Sequence, residues 1–267
     1  MKKCFKIFGT FLALLSLTAC QDLGSEVTEA EAAKKQAEFQ NVDESKKAHQ
    51  YTLTVSETAS VDMMGQKAYA KASMKASYDL DKLYAYINVD MGETESSAQN
   101  GENWVYYKDN YVHYVQKLKG GKAEGYKVQM TEAEAKAEIN TQIASTIAGE
   151  TDLEEIIDGL GSMAGSVSSM TTGMKVDAST KYYSKGEGNL SLVAKQKGSV
   201  KTSEYSASYT FDATITFDAY LLTNCSFKLN YSAAGGGEKA SMKVVASIKG
   251  SKGCSVSYPT YTEVAAQ

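Results

Sequence analysis

Tyr205, Ala207, Tyr209, Phe211, Ala213, Ile215 and Phe217 are apolar or aromatic, and every position between them, Ser206, Ser208, Thr210, Asp212, Thr214 and Thr216, is polar. Side chains alternate across a strand with a period of two, so this run reads as a β-strand with one dry and one wet face; a helix would scatter the same residues around its circumference. The pattern recurs along the chain. Tyr51, Leu53, Val55, Ala59 and Val61 alternate with Thr52, Thr54, Ser56, Thr58 and Ser60. Ala68, Ala70, Ala72, Met74, Ala76 and Tyr78 alternate with lysines and serines, and Leu83, Ala85, Ile87, Val89 and Met91 oppose Tyr84, Tyr86, Asn88 and Asp90. Strands follow over 176–183 and 189–195. Leu221, Cys225, Phe227, Leu229 and Tyr231 form another row, and Ala240, Met242, Val244, Ala246 and Ile248 one more beyond a turn at Gly235-Gly236-Gly237. A single proline in 267 residues leaves these runs unbroken. The expectation is at least nine half-buried antiparallel strands.

Helical spacing interrupts the strands once. Thr131-Glu132-Ala133-Glu134 is a capping box, and Ala135, Ile139, Ile143 and Ile147 follow at i+4 until Gly149. A second box, Thr151-Asp152-Leu153-Glu154, opens a helix with Leu153, Ile156, Ile157 and Leu160 on one side. The helical insertion spans about 131–168. Residues 104–115, with Trp104, Tyr106, Tyr107, Tyr111, His113 and Tyr114 around Asp109-Asn110, read as a hairpin whose aromatics form cross-strand pairs.

The first twenty residues are an address. Lys2, Lys3 and Lys6 precede an apolar run from about Ile7 to Leu17, and Leu17-Thr18-Ala19-Cys20 ends it. That run is shorter than the roughly 20 apolar residues a bilayer span needs, so residues 1–19 read as a cleaved signal peptide. The ending resembles the lipobox of bacterial lipoproteins, which implies cleavage before Cys20 and a diacylglyceryl group on its thiol. The mature chain is then expected on the extracytoplasmic face of a bacterial cell membrane, held by lipid. Removing residues 1–19 takes three lysines with it and moves the formal charge from −4 to −7, which predicts repulsion from an anionic membrane surface and attachment by acyl chains alone. Residues 20–47 are expected to be the lipidated N-terminus and a solvated tether, with a marginal helix around 28–39 as the alternative, and residues 48–267 a single domain.

Cys4 leaves with the signal and Cys20 carries lipid, so Cys225 and Cys254 remain as a pair in a disulfide-permissive compartment. Two arrangements stay open. A bridge across them would close a loop of about 30 residues. A plain meander would instead set them two strands apart, about 10 Å, as separately buried thiols.

An open sheet this wide with one apolar face must curl and be covered, and two short helices suffice only if it wraps around them. The expected fold is mainly β (α+β): a strongly curved antiparallel half-barrel with two short helices on its concave face. In the lipobox, the long meander with small and Met-rich inward rows, the helical insertion midway and the second meander, residues 48–260 resemble the superfamily of the outer-membrane lipoprotein carrier and LppX-type lipoproteins. The resemblance implies a cavity for a lipid or other apolar ligand between sheet and helices. Residues expected to line it are Leu53, Val55, Met74, Ile87, Ile139, Ile143, Ile157, Leu160, Phe211 and Ile215. One departure is plain: the chain has no arginine, so the arginine that holds some carriers closed has no counterpart.

Catalytic chemistry is not legible. His49 and His113 stand apart from any nucleophile, there is no G-x-S-x-G elbow, and Gly120-Gly121-Lys122-Ala123 lacks the spacing of a phosphate loop. Asp79 and Asp81 lack the glycine and closing glutamate of a calcium loop and read as a solvated turn. A sequence pI near 5.4 and the absence of arginine argue against nucleic acid. The expectation is a protein that is not an enzyme and needs no cofactor or metal, whose partners are the membrane and an apolar ligand. The alternative is an envelope interaction or structural lipoprotein with a filled core, using the 104–115 hairpin as its contact.

Overall fold

The structure is a computed structural model and describes residues 22–40, 48–92, 100–143 and 174–265. The leader, Cys20 and the second expected helix with Ile157 and Leu160 lie outside the described residues. In chain order the elements are β1 (Ser25–Val27), α1 (Glu29–Gln40), β2 (Gln50–Met63), β3 (Gln66–Asp79), β4 (Tyr84–Asp90), β5 (Gly101–Lys108), β6 (Tyr111–Leu118) and β7 (Ala123–Gln129). They continue with α2 (Glu132–Ile143), β8 (Lys175–Ser184), β9 (Leu190–Lys201), β10 (Tyr205–Asp218), β11 (Leu221–Gly235), β12 (Glu238–Lys252) and β13 (Thr262–Glu263). The strands form one mostly antiparallel sheet in the order β1-β8-β9-β10-β11-β12-β2-β3-β4-β5-β6-β7-β13, which is not closed. The chain divides into two units. The first holds residues 1–47, 56–71 and 153–249, and the second holds 48–55, 72–152 and 250–267.

The first unit is built on the meander β8 to β12. The alternation is realised from Ala207 to Phe217, while Tyr205 at the start of the strand is exposed; Tyr209, Phe211 and Ala213 pack with Phe227, Leu229 and Ala246 on the inner face. Gly198 lies opposite Tyr209, and a Cβ there would run into the Tyr209 ring, so the glycine lets the ring lie across its neighbour. Hairpin turns follow from left-handed residue pairs. Gly236-Gly237 closes β11–β12, Met64-Gly65 closes β2–β3, and Ala219-Tyr220 closes β10–β11 with φ of 48° and 63°. Neither Ala219 nor Tyr220 favours that region. Tyr220 is held there by a hydrogen bond from its hydroxyl to Glu187 (2.8 Å) and by an edge contact with Phe39.

Residues 25–40 are part of this unit, which corrects the expectation of a solvated spacer. β1 pairs with β8, and Thr28 and Glu31 form a reciprocal capping box: the Thr28 amide donates to Glu31 at 2.8 Å and the Glu31 amide to the Thr28 hydroxyl at 3.2 Å. Ala32 is buried, and Phe39 stacks on Phe217 with centroids 5.4 Å apart. A 12-residue helix is marginal alone in water; here a small buried side chain and one aromatic anchor dock it.

The second unit departs from half-buried strands. One face of β4–β6 packs Leu83 and Val112 against Ala135 and Ile139 of α2. α2 begins at the expected box, with the Thr131 amide donating to Glu134 at 2.8 Å. The opposite face is also dry: Tyr84, Trp104, Tyr106 and Val115 are buried beneath Cys254, Val256 and Tyr261 of the C-terminal segment. Tyr84 therefore joins the core although it alternates with the expected inward row. β7 escaped the sequence reading because Gly125 interrupts it. A Cβ at Gly125 would meet the Tyr114 carbonyl, so the backbone approaches closely there.

Neither Cys225 nor Cys254 is in a disulfide. Cys225 lies opposite Ile248 in the first unit, six residues before Cys254, which packs in the second. Asp79 forms a turn, as expected, but a buried one. Its carboxylate accepts from the Asp81 and Lys82 amides at 3.1 and 3.0 Å and from the Gln50 side-chain amide at 3.0 Å.

Candidate functional site

β2 carries its apolar row on odd-numbered positions, and Glu57 occupies one of them. In the first unit Thr58 Oγ1 bonds the Val245 carbonyl and Ser60 Oγ the Lys243 carbonyl, both at 3.4 Å. These bonds seat this part of β2 beside β12, whose inner row carries Val244 and Ala246. Glu57 is only 9% exposed, and its carboxyl has no hydrogen-bond or ion-pair partner among the described residues. Burial, with no opposing charge, pushes its pKa up to about 7. Its oxygens are not sealed off, since among the described residues no fully enclosed side-chain oxygen or nitrogen lacks a hydrogen-bond partner; a carboxyl at this depth still costs free energy as a carboxylate and retains unused hydrogen-bonding capacity as an acid. The signal was legible as the one polar residue in an otherwise apolar odd-numbered row, and the alternation analysis passed over it.

Of the ten residues expected to line a cavity, eight are described, six of them in the second unit and Phe211 and Ile215 in the first. Leu53, Val55, Met74, Ile139, Phe211 and Ile215 are buried, while Ile87 and Ile143 are half-buried. Phe211 belongs to the first unit's aromatic cluster, and Ile139 and Ile143 to the α2 cluster of the second. Ile157 and Leu160 are outside the described residues. The hollow of about 970 Å³ that the first unit does present has a mixed lining: Ser199, Ser208, Ser232 and Ser241, the small apolar Ala207, Ala233 and Ala240, and charges of both signs in Lys201, Lys239, Asp62 and Glu238.

The aromatic hairpin is occupied internally. Tyr86 and Trp104, Tyr106 and His113, and Tyr114 and Tyr126 are cross-strand partners with centroids 5.4, 4.6 and 4.9 Å apart. Trp104 and Tyr106 are buried, so these two are not a ready contact surface. His113 shares a 2.8 Å hydrogen bond with the Tyr261 hydroxyl, and burial holds its pKa below the usual histidine range. Burial also raises Tyr84 and Tyr106 to about 12. Among the described residues no three His, Cys, Asp or Glu side chains gather as metal ligands, and no helix is long and apolar enough to cross a membrane.

No protein-family model matches the sequence. No curated protein matches it either. Among solved structures, the chain is similar to one of lipid–protein interactions in lipovitellin, with 8% identity and a TM-score of 0.29; the match covers 81% of this chain and 27% of that one. The chain thus spans about a quarter of that neighbour, and none of these comparisons supports the carrier superfamily specifically.

Proposed function

We propose that this is a lipid-anchored, extracytoplasmic binding protein without catalytic activity. Its cargo is an apolar molecule with a hydrogen-bond-donating head, such as a long-chain amine or alcohol, recognised on the inner face of the first unit's strands. Glu57 is the observation that carries this reading. An apolar ligand would match the rows around it, and a donor head would supply the partner its carboxyl lacks. The anchor rests on Leu17-Thr18-Ala19-Cys20.

The test is displacement of a fluorescent long-chain amine from delipidated protein, run in parallel with a fluorescent fatty acid. The wild type is expected to take up the amine, and Glu57→Leu to lose about tenfold in affinity, consistent with one charged hydrogen bond. Uptake of neither probe would overturn the cargo reading. Release of a Cys20→Ser chain from the membrane fraction tests the anchor separately; its continued retention would overturn that part. A second reading, a filled-core interaction protein, is favoured by the burial of Leu53, Met74, Phe211 and Ile215. It predicts that neither probe binds.

A further inference from the structure

The chain is acidic overall, yet its charge is not evenly spread. On the outer face of the β8–β12 meander, strand register aligns the side chains in transverse rows. Lys175, Ser199, Ser208, Ser232 and Ser241 form one row, and Asp177, Lys197, Thr210, Asn230 and Lys243 the next. The floor, on β10 and β11, is mostly Ser, Thr and Asn. The walls are lysine: Lys195, Lys197 and Lys201 on β9, and Lys239, Lys243 and Lys249 on β12, all exposed. Four carboxylates lie within these strands, Asp177, Asp212, Asp218 at the end of β10 and Glu238 at the start of β12, against more numerous lysines, and Asp177 is taken by Lys197 at 3.1 Å. Among the described residues Lys195, Lys201, Lys239, Lys243 and Lys249 have no ion-pair partner.

We propose that this lysine-walled face docks on an anionic lipid surface. Serine hydroxyls and lysine ammonium groups both donate to phosphate oxygens, and the hollow at the Ser199–Ser241 row, where Lys201 and Lys239 stand with Asp62 and Glu238, gives headgroups a place to approach the backbone. The choice of a lipid surface over a free anionic polymer rests on the anchor reading above. β1 pairs with β8 at the border of this face, and only the segment 20–24 separates Cys20 from it, a reach of at most about 17 Å. A tether that short holds the lysines near the headgroups, where each adds about fivefold to binding and salt screens the effect within about 10 Å. The expectation of repulsion, drawn from a charge of −7 as if uniformly spread, is thereby replaced.

The test uses the chain from residue 20 onward with Cys20→Ser, which carries no acyl group and keeps every described residue. It is sedimented with vesicles of pure phosphatidylcholine or with 30 mol% phosphatidylglycerol. Binding is expected only to the anionic vesicles, and 1 M salt should abolish it. The set Lys195→Glu, Lys201→Glu and Lys243→Glu should weaken it tenfold or more, while Lys82→Glu, Lys119→Glu and Lys122→Glu, in the second unit, should leave it unchanged. No binding to anionic vesicles, or equal losses from both sets, would overturn the proposal. So would retention of the protein by soluble polyphosphate with no binding to vesicles. Because no lipid anchor is present, failure of the anchor reading would appear only in membrane fractionation and leave the vesicle result intact.

Discussion

Both units open a helix with the same five residues, Thr28-Glu29-Ala30-Glu31-Ala32 and Thr131-Glu132-Ala133-Glu134-Ala135, and bury the same alanine, Ala32 or Ala135. They then treat the outer side of their strands in opposite ways. The second unit seals Tyr84, Trp104 and Tyr106 under the C-terminal segment; the first leaves Ser208, Thr210 and Ser232 to solvent between rows of lysine. One helix start thus serves a unit dry on both sides and a unit dry on one. The difference lies in whether the positions between the inward residues are aromatic or hydroxyl-bearing.

The largest test of this contrast is core truncation in each unit. Phe227→Ala and Trp104→Ala should each cost about 3–5 kcal/mol. Hydrogen exchange should show the loss of protection in β10–β12 for the first and in β4–β6 for the second. Ending the chain at Gly253 should cost roughly 3 kcal/mol or more by uncovering Tyr84 and Tyr106. It should also shift the fluorescence of Trp104, the single tryptophan, to the red. Unchanged emission would mean that the segment is no seal.

Acidity separates the units by sign. Glu57 has its folded pKa raised from 4.5 to about 7. The native state therefore keeps a proton that the unfolded chain has lost, and stability falls as pH rises from 4.5 to 7, by at most about 3 kcal/mol. His113 has its pKa lowered, so the unfolded chain takes up the proton first and stability falls as pH drops through 6.5. Exchange protection around β2 and β12 should strengthen on acidification while that around β6 weakens. Glu57→Gln and His113→Gln should each flatten one slope and leave the other.

Smaller effects complete the series. Thr28→Ala and Thr131→Ala should each cost about 1 kcal/mol through loss of the cap, read by thermal unfolding. Ser208→Thr on the bare face should stay within about 0.5 kcal/mol.

Legibility followed the same divide. In β10 the two faces differ in polarity, so alternation revealed both the strand and its inward row. In β4 and β5 both faces are apolar, the period-two contrast fades, and Tyr84 and Trp104 could not be assigned to a core without knowing what covers them. α2 was legible because box and i+4 stripe coincide. α1 was legible only as the alternative to a tether, and its docking was not, since one aromatic and one small alanine anchor it. Of the candidate site, the apolar rows could be read residue by residue. Glu57 stood in the β2 row as its one polar member, but a count of alternating apolar residues treats such an exception as noise, and its burial is visible only once the strand is placed beside β12.

The two borders of the sheet are its shortest strands, three residues in β1 and two in β13, against 15 in β11. Beyond β1, the β8 backbone runs between exposed Lys175 and Lys181. β1 covers only Tyr182–Ser184 and β13 only Glu124–Gly125, so the β8 edge from Lys175 to Lys181 keeps a row of open backbone groups, with Lys181 already paired to Glu26 at 2.8 Å. A crowded neighbour with a strand to add would find its template there, on the border nearest the N-terminal segment.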